Sequence, residues 1–128
     1  MSGFTDYLPE VFERFGAISI RKMFGGYGIY HQGLMFALVT DDTLYLKADD
    51  ENRRFFTAEG LGPFEYHKDG KTMQMSYYRA PDECLDDRDT AALWARRSYQ
   101  AAARAHAAKS AAEVAKAARK KRGKPSRA

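Results

Sequence analysis

The chain has 128 residues, one domain's worth, and its 45% hydrophobic content is enough for a single core. Its formal net charge of +4 hides two opposite parts: residues 1–95 carry 10 Lys and Arg against 16 Asp and Glu, and residues 96–128 carry 11 Lys and Arg against one acid, Glu113. One cysteine, Cys84, excludes an internal disulfide, no basic-then-apolar leader opens the chain, and no run reaches the ~18 apolar residues of a membrane span, so a soluble cytoplasmic protein is expected.

Leu8, Val11, Phe12 and Phe15 recur at helical spacing and predict a first helix over 5–15, with Thr5 as its cap and Gly16 as its stop. Ala17–Lys22 reads as a short extended segment. Gly25, Gly26 and Gly28 then permit a tight turn, a bulge or a close strand crossing. Strands follow at Ile29–Tyr30, at the apolar run 34–40 (LMFALVT) and at 43–47, where Leu44 and Leu46 alternate with Thr43, Tyr45 and Lys47. Asp49 or Asp50 is expected to cap a second helix that buries Phe55 and Phe56 and ends at Gly60. Asp69-Gly70 between two alternating segments is a strong hairpin signal. On the return strand Met73, Met75 and Tyr77 share one face, and Gln74, Ser76 and Tyr78 the other.

After Pro81, acidic residues suit the entry to a last helix docked by Leu85, Leu93, Trp94 and Tyr99. Residues 101–118 include 11 alanines, which favour helix but offer little apolar area, so this stretch is expected to project; residues 119–128 are expected to be disordered. The resulting fold class is α+β, a two-layer sandwich of an antiparallel sheet with helices on one face and a long C-terminal helix. Residues 1–105 form the domain and 106–128 a basic tail. The open sheet face is expected to carry Tyr45 and Tyr78 and to serve as a dimer or partner surface.

Catalytic and cofactor signals are absent from the pattern. The glycines lack the spacing of a dinucleotide fingerprint or P-loop, and a strand follows them where phosphate binding requires a helix N-terminus. His31, His67 and His106 make no metal-ligand spacing with Cys84, the serines show no nucleophile elbow, and the carboxylates gather at helix starts. No enzyme activity, cofactor or metal is therefore expected. Arg21, Lys22, Tyr27 and Lys47 are the candidate contacts for a partner. Lys116, Arg119, Lys120, Lys121 and Arg122 are the candidate contacts for DNA or another polyanion, held through phosphates without base readout. A small-ligand pocket lined by Arg21, Lys22 and Lys47 is a further alternative.

The segments MFGGYGIY (23–30), Gly33–Leu38, Leu44–Lys47, Pro63-Phe64, Met75–Tyr78 and Pro81–Glu83 together resemble the N-terminal domain of the TfoX/Sxy competence-regulator family, over roughly residues 5–105. The resemblance implies an α+β domain related to the secretion-chaperone-like fold. It also implies a link to DNA-uptake competence, in which full-length members act as transcriptional co-activators alongside the cyclic-AMP receptor protein. Two-domain members carry a second, helical domain for which this chain is too short, and the basic tail is no part of the family pattern; a stand-alone single-domain member is expected. The family brings no catalytic residues. The combined reading is a regulatory or adaptor module that contacts a protein partner, such as a transcription factor or RNA polymerase component, with a tail giving non-specific DNA affinity. The alternative is a homodimeric interaction module whose tail only solubilises.

Overall fold

Alternating apolar and polar residues, punctuated by two-residue turns, build the sheet. The computed structural model describes residues 3–23 and 25–123, without the side chains of Lys68, Met73 and residues 121–123. The elements are α1 (Gly3–Val11), β1 (Ser19–Met23), β2 (Gly26–His31), β3 (Leu34–Thr40), β4 (Thr43–Lys47), α2 (Arg53–Thr57), β5 (Pro63–Lys68), β6 (Lys71–Arg79), α3 (Glu83–Asp86) and α4 (Arg88–Gly123). The six strands form one antiparallel sheet in the order β1-β2-β3-β4-β6-β5. Three hairpins turn on pairs with positive φ at both central residues: Gln32–Gly33 (48°, 82°), Asp41–Asp42 (51°, 53°) and Asp69–Gly70 (52°, 76°). Such turns match the natural twist of paired strands.

The apolar run of β3 is central, as its composition suggests, and a bulge explains why it does not alternate. Ile29 pairs with Ala37 and Tyr30 with Met35, which leaves Phe36 as the extra residue. Phe36 and Ala37 are consequently both fully buried. Phe36 packs edge-on against Phe12 and tilts against Phe15, with centroids 5.4 and 5.1 Å away. The core joins Leu8, Val11 and Phe12 to Ile29, Val39, Leu44 and Leu46 of the sheet, Phe56 of α2 and Trp94 of α4.

Several helix boundaries differ from the sequence pattern. The first helix starts at Gly3, so Thr5 is a buried residue within it and not its cap. It ends at Val11, and residues 12–15 form tight turns closed by Phe15 N–H and Gly16 N–H on the Phe12 carbonyl. Pro9, which lacks an amide donor, sits inside this short helix. The second helix is only Arg53–Thr57, preceded by a turn that Asp49 closes by accepting from the amides of Glu51 and Asn52. Gly60, at φ 71°, ends the segment as expected.

The docking face of α4 is narrower in side-chain size than the sequence suggests. Ala91, Trp94, Ala95, Ser98, Ala101 and Ala102 are buried at successive helical turns, whereas Leu93 points outward at 43% exposure. Alanines at these positions let the helix backbone approach the sheet closely. The helix continues through residues 119–123, where disorder was expected; alanine, lysine and arginine are all good helix formers. Residues 124–128 lie outside the described residues. Among the described residues no helix is long and apolar enough to cross a membrane.

Candidate functional site

Two surfaces hold the candidate contact residues: the sheet face turned away from the helices, and the far end of α4. In antiparallel pairs, directly opposed residues point to the same side. The register therefore puts Leu44, Leu46 and Tyr78 on the helix side, and Arg21, Gly28, Leu38, Tyr45, Lys47, Tyr77 and Arg79 on the open side. Tyr78 is thus not an open-face residue, contrary to expectation: its ring lies 5.3 Å from that of Phe56, against the core. Tyr45 and Tyr78 fall on opposite faces because β4 pairs Tyr45 with Arg79 and Leu46 with Tyr78. Tyr77 takes the open-face position instead.

A groove of about 510 Å³ runs over this face, lined by Met23, Met35, Leu38, Phe64, Tyr66 and Met75, with Gly26, Tyr27, Val39 and Thr40 bordering it. The glycines shape the wall. A Cβ on Gly26 would collide with the Val39 carbonyl oxygen, so only glycine allows this strand approach. A Cβ on Gly28 would meet the Met23 and Met35 sulfurs at 2.6 and 2.9 Å. The glycine cluster therefore serves a close crossing and a turn, with Gly25 at φ 68°. Across the groove Tyr45 tilts against Phe64 at 5.0 Å, and Tyr66 stacks beside Phe64 at 6.3 Å.

Arg21 and Lys47 share the open side, three strands apart in a sheet spaced at about 4.8 Å per strand. The Arg21 guanidinium lies over the Tyr30 ring at 4.8 Å. The Lys47 ammonium lies 5.1 Å from the Tyr77 ring and donates to Ser76 Oγ at 2.7 Å. Burial pulls the Lys47 pKa below its ordinary value, partly opposed by Asp49, and burial pushes the Tyr77 hydroxyl up to about 12. Lys22 is exposed and pairs with Tyr27 on the opposite side, where the Tyr27 ring packs on core residues. Arg21, Lys22 and Lys47 therefore do not line a common pocket. The groove itself was invisible to composition. Its methionines come from β1, β3 and β6, and only the strand order brings them together.

The second surface begins where α4 leaves the domain. Arg97 lies 3.8 Å over the Phe55 ring. About two turns further on, Arg104 donates to Asp49 through Nε (2.6 Å) and Nη2 (2.9 Å), and its Nε also lies 2.7 Å from Glu51. The Arg104 guanidinium holds the Asp49 carboxyl below the usual range, with burial opposing and turn amides assisting. Arg97 and Arg104 thus tie the helix to the domain. Beyond them Lys109, Lys116, Arg119 and Lys120 are exposed, and Lys109, Lys116 and Lys120 recur at helical spacing along one side with Glu113 among them. The side chains of Lys121 and Arg122 lie outside the described residues. From residue 106 to Gly123 the helix extends about 27 Å at 1.5 Å per residue.

Cys84 is fully buried, and burial pushes its thiol up to about 12. His31 Nδ1 lies 2.7 Å from the Ala17 carbonyl and its ring packs against Phe15 and Tyr99. His67 bonds Thr72, and His106 is exposed on α4. Among the described residues no group of three metal-type ligands converges.

Comparison with known proteins shows the family. The model of the TfoX N-terminal domain matches residues 10–102, well over half the chain. Protein Sxy of Escherichia coli (strain K12) is 32% identical over 76 residues, covering 59% of this chain and 36% of the relative. DNA transformation protein TfoX1 of Aliivibrio fischeri (strain ATCC 700601 / ES114) is 32% identical over 78 residues, covering 61% and 37% respectively. The chain spans a little over a third of the length of these curated relatives.

Proposed function

The chain belongs to the TfoX N-terminal domain family, and from that premise we propose that it is a non-enzymatic regulatory or adaptor module, a competence-regulator-like transcriptional co-regulator acting in the cytoplasm. In this reading residues 1–105 contact a protein partner, a transcription factor or RNA polymerase component. Residues 106–128, with eight Lys and Arg against Glu113 alone, hold the module near DNA. The observation that carries the reading is the exposed basic arm of α4 leaving a domain that is acidic through residue 95. Such an arm follows a phosphate backbone by releasing counterions and reads no bases.

The test is DNA binding by fluorescence anisotropy across a salt series. It compares the unaltered chain with a full-length variant neutralised to glutamine at Lys116, Arg119, Lys120, Lys121 and Arg122. About five phosphate contacts give a slope of log K against log salt near −4 to −5, which the variant loses together with most affinity. An unchanged affinity with a lowered melting temperature in the variant refutes the anchoring role.

A further inference from the structure

A sheet face exposed to water ordinarily turns polar residues outward. This one does not. Met23, Tyr66 and Met75 stand exposed, and beneath them Leu38 (8%) and Tyr77 (7%) are nearly as buried as core residues although they point away from the helices. The floor is largely thioether and aliphatic. Unbranched methionines re-pack around apolar side chains of different shapes, which suits the binding of a peptide.

Charge narrows the occupant. Acids outnumber bases 16 to 10 through residue 95, yet none of the strand residues opposed on this face is an acid. Arg14, Arg53, Arg79, Arg88 and Arg104 all have carboxylate partners. Arg21 and Lys47, like Lys22, Arg54 and Lys71, form no ion pair among the described residues; on this face both rest on tyrosine rings, with Asp49 acting on Lys47 only at longer range. Their strands are three intervals apart, roughly 14 Å, enough to flank one helix about 10–12 Å across.

We propose that this face docks an acidic amphipathic protein segment, whose apolar side chains enter the groove between Met23, Met35 and Met75 and whose carboxylates meet Arg21 and Lys47. The proposal rests on the adaptor reading and specifies its partner surface. A second copy is disfavoured, because two-fold pairing sets a patch on itself and so brings cations against cations. Single-stranded nucleic acid is disfavoured as well. Tyr45, Phe64 and Tyr66 already pack on one another, which takes up the rings on which bases would stack.

The experiment follows the methionine methyl resonances of the full-length chain carrying the five arm neutralisations, which leave three of the arm's eight basic residues and so weaken it as a competing site for acidic probes. The probe is a peptide of about 16 residues with leucines at helical spacing and glutamates on the other face. The comparison probes are its lysine counterpart and an oligothymidine, with a dilution series of the protein alone. The acidic peptide is expected to shift Met23, Met35 and Met75. Its affinity should fall by about tenfold or more in the Arg21→Glu, Lys47→Glu double variant and on adding salt to the unsubstituted face, which tests charge without any change at the site. Unmoved methyls, equal response to the lysine peptide, or shifts produced instead by oligothymidine or self-dilution overturn the proposal. Unmoved methyls with DNA affinity of the unaltered chain intact sink the surface alone. Methyl shifts without that DNA affinity uphold the surface and sink the anchoring arm.

Discussion

Replacing Asp49 with alanine should loosen the point where α4 leaves the domain. The carboxylate accepts two bonds from Arg104, at 2.6 and 2.9 Å, and two turn amides from Glu51 and Asn52, at 3.0 and 3.1 Å. The Asp49 and Arg104 side chains are 25% and 36% exposed, so the ion pair is screened and contributes about 1–1.5 kcal/mol, below the value of a buried charged pair. Losing the turn closure adds about 1 kcal/mol, as for a lost cap. Asp49→Ala should therefore cost about 2–3 kcal/mol, or roughly 8–12 °C in melting temperature for a chain of this size. Arg104→Ala should cost about 1–1.5 kcal/mol, and the double variant should show about 1 kcal/mol of coupling. The assay is urea unfolding followed by circular dichroism at neutral pH and physiological salt. Strict additivity of the two variants would refute the clamp. The pH dependence has a definite sign: Asp49 titrates lower in the folded chain than its unfolded value near 3.9, so its contribution is complete above that value and disappears as pH falls through the folded pKa. The stability gap between unaltered chain and Asp49→Ala should narrow in that acid window and stay constant from pH 5 to 8.

Three further measurements probe the packing. Gly26→Ala places a Cβ against the Val39 carbonyl and should destabilise by about 3 kcal/mol or more, measured by the same unfolding; a change under about 1 kcal/mol would mean the strands can separate freely. Ser98→Ala should stabilise by about 1 kcal/mol, because the Ser98 hydroxyl is buried without a hydrogen-bond partner among the described residues and alanine is the better helix former. A loss of stability there would reveal a partner for the hydroxyl. Cys84 should resist thiol reagents in the folded protein and react fully in denaturant, as burial and a thiol pKa of about 12 require; fast native labelling at neutral pH would show that α3 opens.

Local chemistry made much of the fold legible. Alternation in Thr43–Lys47 set which side Leu44 and Leu46 face, and Asp69-Gly70 marked its hairpin, because both depend on neighbours within a few residues. The first helix was harder to bound. Phe12 and Phe15 keep helical spacing, yet they enter the core from turns, since periodicity reports burial and not hydrogen bonding. Leu93 misled for a related reason: the docking face of α4 is built from small residues around Trp94, and an exposed leucine looks like a core residue in sequence. Of the residues chosen for the partner surface, Arg21 and Lys47 share a face, and Lys22 and Tyr27 turn the other way because they are odd-numbered steps removed in the pleat.

The amino-acid order by itself determined the class of fold, the split between an acidic domain and a basic arm, and the family, since each rests on local spacing, summed charge or contiguous motifs. The tertiary structure decided the rest. Pairing β4 with β6, and not with the nearer β5, sent Tyr78 to the core and Tyr77 to the open side. The bulge at Ile29–Tyr30 buried two successive residues of β3. Met23, Met35 and Met75, up to 52 positions apart, line one groove only because the strand order brings their strands onto one face, and no local pattern encodes which strands will be neighbours.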